Sequence, residues 1–141
     1  MKTTDNSIDF DALFAVAWQA TKHSYSPYSK LRVGAAVLTN QGIYTGTNIE
    51  NASFGMSTCA ARVAVFSAVA AEGAENLRIH AVVVVNDQNK PTAPCGACRQ
   101  VIAEFTGDAI IAFQGENKLE KVSISELLSH RFRFSSTYDK Q

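Results

Sequence analysis

The chain has 141 residues, 46% hydrophobic and 18% charged, with 13 basic against 13 acidic side chains. That is the size of one ordinary domain, with apolar material enough for a core without disulfide staples, so a single domain over residues 1–141 is expected. A formal net charge of zero speaks against gripping nucleic acid by phosphate neutralisation and against electrostatic docking on anionic lipid.

The start, Met1 to Ser7, is polar and has no apolar signal core, and no apolar run approaches the ~20 residues of a membrane span. A cytoplasmic protein is expected. Residues 8–22 read as an amphipathic helix, with Phe10, Leu13, Phe14, Ala17 and Thr21 at helical spacing and Trp18 beside them. Ser7 and Asp9 are its candidate N-caps. The polar stretch Ser24-Tyr25-Ser26-Pro27-Tyr28-Ser29 breaks the helix and either packs as a loop or lines a pocket.

Residues 33–39 and 43–48 read as an antiparallel hairpin across Asn40-Gln41-Gly42. Gly34 and Gly46 within these strands imply a close approach of backbone or ligand. Asn48 and Glu50 fall on one side of an extended chain, a pattern of solvated surface or of a site for a hydroxyl-rich ligand. A helix is predicted over residues 58–72, stopped by Gly73. It is apolar nearly all round apart from Arg62 and Ser67, so it must be covered on more than one side, by a subunit interface or by a deep central position.

Residues 79–85 form a buried-type strand and 87–93 a polar loop. A helix follows over 95–105, then a strand over 109–113, a turn at 115–117, a short strand over 119–122 and a brief helix over 125–128. The tail 132–141 has no clear structure. Helices alternating with strands after a hairpin predict an α/β fold, a three-layer α/β/α sandwich around a mixed five-stranded sheet.

Cys95 and Cys98 are separated by two residues, and Cys59 lies upstream. Both segments open a helix, where free backbone N–H groups and the helix dipole favour thiolates. Thiolates converging on one point suit a soft cation, usually zinc. The rival readings are a small buried hydrophobe at Cys59 and a redox pair at Cys95 and Cys98. A distant third cysteine at another helix start favours the metal. His23, His80 and His130 have no ligand spacing to a cysteine. A structural module would need a fourth protein ligand, whereas three ligands leave the open position of a catalytic site.

Several segments together carry a resemblance: Tyr25 to Lys30, Val33-Gly34-Ala35-Ala36, Asn48 to Ser53, Cys59-Ala60, and Pro94-Cys95-Gly96-Ala97-Cys98-Arg99-Gln100. In this order and at these intervals, from Tyr25 to Phe132, the chain resembles the small homotetrameric cytidine deaminases with three zinc-ligating cysteines. The resemblance implies hydrolytic deamination of cytidine or 2′-deoxycytidine at C4, in pyrimidine salvage, with zinc on Cys59, Cys95 and Cys98; that chemistry is the zinc-deaminase class's own, carried over by likeness. It further implies Asn48 and Glu50 on the ribose hydroxyls, the Ala60 backbone on the pyrimidine and Arg62 on the thiolates. Phe132 stands where an aromatic reaches a neighbouring subunit's site, with Phe134 as its rival.

The chain departs from that pattern twice. Ala61 stands where the family has a glutamate that moves protons, and a methyl group carries none. General acid–base catalysis is worth about 10²–10⁴-fold, so an inactive glutamate-to-alanine form is expected, one that still binds zinc and nucleoside. The intact remainder of the site favours a deliberate replacement over a natural nucleoside-binding pseudoenzyme, and the codon in the source gene decides between them. Leu31 stands where the family usually has a phenylalanine against the base. Leucine is either a plain hydrophobic exchange or an opening for N4-substituted or otherwise modified cytidines.

Overall fold

The structure is a computed structural model that describes residues 7–134. Helix α1, Phe10–Ala20, starts at Asp9, whose side chain accepts a hydrogen bond from the Ala12 N–H at 3.1 Å, and ends in a 3-10 turn over Thr21–His23. Strands β1, Val33–Thr39, and β2, Ile43–Thr47, form the expected hairpin. Helix α2 spans Ala60–Glu72, β3 Ile79–Asn86, α3 Gly96–Ala103, β4 Ile110–Gln114, β5 Leu119–Ser123 and α4 Ile124–Leu127. The 3-10 turn at Phe54–Met56 has no signature in the sequence reading, and α3 is shorter than predicted.

The five strands form one mixed sheet in the order β2-β1-β3-β4-β5. The β1/β2, β1/β3 and β4/β5 pairs are antiparallel and β3/β4 is parallel, as the alternation of helices and strands requires. On one face Phe10, Leu13 and Ala17 of α1 pack against Ala36, Ala81, Val83 and Ala112. On the other, Ala64 and Val65 of α2, Ile102 of α3 and Ile124 of α4 pack against Val37, Val82, Val84 and Ile111. Successive valines of β3 thus serve opposite layers, which explains why that strand shows no polar alternation.

Gly34 and Gly46 answer to backbone rather than ligand. A Cβ at Gly46 would meet the Ala60 carbonyl oxygen at 2.5 Å, and one at Gly34 would collide with the Ala17 carbonyl oxygen. The bare backbone lets α2 and α1 lie directly on the hairpin. Gly73 ends α2 with φ 81°, and its N–H reaches the Val69 carbonyl.

The topology sets where chemistry can occur. β2 and β3 both pair antiparallel with β1, so they run the same way and end at the same sheet edge. α2 follows β2 and α3 follows β3, so both helices begin at that edge. Beyond α4, Arg131 ties the chain to the end of α3, donating to the carbonyls of Ala103 at 2.9 Å and Gly107 at 2.8 Å. The end of the tail, 135–141, lies outside the described residues, as does residue span 1–6. Among the described residues no helix is long and apolar enough to cross a membrane.

Candidate active site

Cys59 is the N-cap of α2 and Cys95 the N-cap of α3. Cys98 sits one turn into α3, buried, and its N–H points at the Cys95 sulfur at 3.4 Å. The Cys95 and Cys98 sulfurs are 3.4 Å apart and those of Cys59 and Cys95 4.0 Å, with all three within 4.8 Å of one another. Tetrahedral zinc with Zn–S of about 2.3 Å asks for sulfur–sulfur edges of roughly 3.8 Å. The Cys95–Cys98 and Cys59–Cys95 edges lie within a few tenths of an ångström of that value and the third separation exceeds it by at most about 1 Å, and among the described residues no histidine or carboxylate joins the trio.

The local field favours a thiolate. The Cys98 thiol and Arg62, whose Nη2 donates to the Cys59 sulfur at 3.3 Å, lower the Cys59 pKa to about 5 against the opposing effect of burial. The hydrogen bond with Cys59 and burial push Cys98 upward, because the two sulfurs share one site. A divalent cation removes that conflict by replacing the shared protons.

Arg99 fastens the Cys95–Cys98 turn from behind. Its Nε donates to the Pro94 carbonyl at 2.8 Å and its Nη1 to the Leu127 carbonyl at 2.9 Å. Sequence reasoning carried Arg99 only as part of a motif, because its partner in α4 is 28 residues away.

The sulfurs open into a cavity of about 330 Å³ that Leu31, Asn48, Glu50, Ala60 and Ala61 also line. Ala61 is 2% exposed and lies directly beside the metal ligands. Phe132 does not line this chain's cavity. It is 68% exposed, packs edge-on against Phe134 at 5.6 Å, and its carbonyl accepts from Gln100 Nε2 at 3.3 Å.

The polar wall is more structured than the sequence suggested. Asn48 Oδ1 accepts from the Ser24 hydroxyl and the Val33 N–H, and its Nδ2 donates to the Leu31 carbonyl. One amide N–H of the four hydrogen-bonding positions is left for a ligand. Asn48 therefore also sets the position of Leu31. Glu50 Oε1 accepts the N–H groups of Tyr28 and Ser29, and Oε2 accepts the Ser29 hydroxyl. Those bonds, led by the Ser29 hydroxyl, hold the Glu50 carboxyl below its usual pKa. Ser24 and Ser29 were hidden in sequence, since serines in a polar loop look alike until their partners, 21 to 24 residues on, are in place.

The model of the cytidine and deoxycytidylate deaminase zinc-binding region matches residues 9–114. A cytidine deaminase of Sporosarcina psychrophila is 41% identical over 128 residues, covering 89% of this chain and 92% of that one. The chain belongs to the cytidine deaminase family. The solved cytidine deaminase from Burkholderia pseudomallei superposes with a TM-score of 0.79 at 38% identity, covering 89% of this chain and 100% of that one. A blasticidin-S deaminase of Bacillus cereus is 30% identical over 138 residues, covering 94% of this chain and 98% of that one. The family is a zinc-binding one of hydrolases, and among the described residues Cys59, Cys95 and Cys98 form a cluster that can hold the metal.

Proposed function

We propose that this chain is a zinc-dependent deaminase unit for cytidine and 2′-deoxycytidine in which Ala61 has removed the proton carrier. The observation that carries the reading is the placement of Ala61, buried beside three convergent sulfurs and facing the cavity that Glu50 and Asn48 line. Zinc, when bound, supplies a Lewis acid that activates water. Cys59, Cys95 and Cys98 fix its place, and Arg62 offsets the negative charge of the thiolates. Glu50 and the remaining Asn48 N–H take the ribose hydroxyls, while the start of α2 at Ala60 lies along the pyrimidine. Among the described residues no titratable side chain other than the cysteines and Glu50 lines the cavity, and Glu50 is already bound by the Tyr28–Ser29 turn. A proton on the ring or leaving amine therefore has no donor, and the chain holds substrate with very slow turnover.

The whole chain works as one unit, and free thiols kept as metal ligands fit a reducing cytoplasm. It assembles as a homotetramer in pyrimidine salvage, with Phe132 reaching a neighbour's site; the exposure of that ring on its own subunit supports this.

Restoring the carboxylate tests the reading. Ala61→Glu is expected to raise ammonia release from cytidine by at least 10²-fold. Zinc-loaded Ala61→Glu with no gain sinks the role of position 61.

Leu31 gives a second reading, deamination of a modified cytidine. It lines the cavity without an aromatic face, and a relative named for blasticidin S supports a wider range of substrates. The restored enzyme should then prefer an N4-substituted cytidine over cytidine in kcat/KM; the reverse preference returns Leu31 to a plain hydrophobic exchange.

A further inference from the structure

We infer that Ser29 is a positioning residue that aims the Glu50 carboxylate and makes it an acceptor reserved for a ligand hydroxyl. The inference rests on Glu50 being the group that meets the ribose. Ser29 and Glu50 both line the cavity. The Ser29 hydroxyl lies between two partners, the Leu31 N–H at 3.1 Å and Glu50 Oε2 at 2.5 Å. A backbone N–H only donates, so the hydroxyl oxygen accepts from Leu31 and its single proton goes to Glu50. The direction of this hydrogen bond is fixed by chemistry, with no alternative rotor.

The carboxylate is then nearly spent. Oε1 takes two N–H donors, from Tyr28 at 2.9 Å and Ser29 at 3.1 Å. Oε2 takes the Ser29 proton and keeps one lone pair. That lone pair is satisfied by a donor and repelled by another acceptor, so it favours a hydroxyl over a phosphate or carboxylate. The chain turns through a left-handed conformation at Lys30, φ 64°, between Ser29 and Leu31, the residue whose N–H the Ser29 hydroxyl accepts. Such a conformation is unfavourable for lysine, and the surrounding hydrogen bonds hold it. The same hydroxyl lowers the Glu50 pKa more than any other neighbour does, consistent with a charge kept in place for use.

The zinc-loaded chain as it stands, which turns over slowly, allows equilibrium binding to be read by calorimetry with cytidine and with 2′,3′-dideoxycytidine. The unmodified chain is expected to prefer cytidine. Ser29→Ala should weaken cytidine about tenfold, the size of a hydrogen bond to a charged group, and leave the dideoxy compound unchanged. Ser29→Thr, which keeps the hydroxyl, should retain the preference. Ser29 is exposed and so is its hydrogen bond with the Leu31 N–H, so solvent can reach the groups that lose the hydroxyl and the alanine variant should fold. Equal weakening of both ligands, or an undiminished preference in Ser29→Ala, overturns the role of Ser29. Loss of the preference in Ser29→Thr overturns it as well. An unmodified chain that binds both ligands equally removes the ribose reading of Glu50 and the inference with it.

Discussion

The Arg62 guanidinium lies 3.3 Å from the Cys59 sulfur, one helical turn below it. Three thiolates on a divalent ion leave a net negative site, and a fixed cation reduces that charge without occupying a coordination position. Groups that orient and neutralise metal ligands typically govern affinity by 10–100-fold. Arg62→Gln is therefore expected to weaken zinc by roughly that factor, measured by competition with a chromogenic chelator; unchanged affinity would show that Arg62 only packs. The role of Arg62 was legible only through the family resemblance, although a lone basic residue three positions after Cys59, on a helix that is apolar nearly all round, already stood out. The load on Asn48 was not. Pattern alone put Asn48 beside Glu50, but three of its four hydrogen-bonding positions are taken by Ser24, Leu31 and Val33.

Among elements, the contact of α2 with β2 matters most, because α2 carries Cys59, Ala60 and Ala61 into the site. Gly46 makes that contact possible. In Gly46→Ala the new methyl meets backbone at Ala60 and Ala64, which yields only if the helix lifts from the strand. Overpacking of this kind costs about 1–3 kcal/mol. A lower urea midpoint with unchanged m-value is the expected result. Because the first turn of α2 moves, zinc affinity should fall with it. The sequence marked Gly46 as a place of close approach, yet periodicity does not say whether a helix or a ligand does the approaching. Helix ends were equally soft to sequence reading: α3 stops at Ala103 because Glu104 and Phe105 close a tighter turn, where side-chain pattern had carried it to 105.

At the scale of the molecule, zinc would join the starts of two helices that follow different strands. Removing it with a chelator at neutral pH should lower the thermal midpoint by more than about 5 °C, since metal bound only by the folded chain adds to stability. Scanning calorimetry with zinc added back checks this. The outward face of α2 is the other feature of that scale. Phe66 is 50% exposed, and Phe54 and Met56, just before the helix, are 74% and 67% exposed. The expected tetramer covers such a face, so Phe66→Glu should give smaller species in sedimentation velocity. An unchanged sedimentation coefficient would place the interface elsewhere.

The sequence by itself determined the order of helices and strands, the three-layer arrangement and the three cysteines that can hold a metal, while the acid proposed to be missing at position 61 came only from the family resemblance. The first three depend on local periodicity and on the chemistry of residue types at short spacing, which a linear chain displays. Only the tertiary structure decided that β2 and β3 end at one edge, so that Cys59 meets Cys95 across 36 residues, and that Ser24, Ser29 and Leu31 converge on Asn48 and Glu50. Those bonds join groups 17 to 24 residues apart and depend on direction as well as proximity. A hydroxyl or an amide in a list of residues has no direction until the fold gives it a partner.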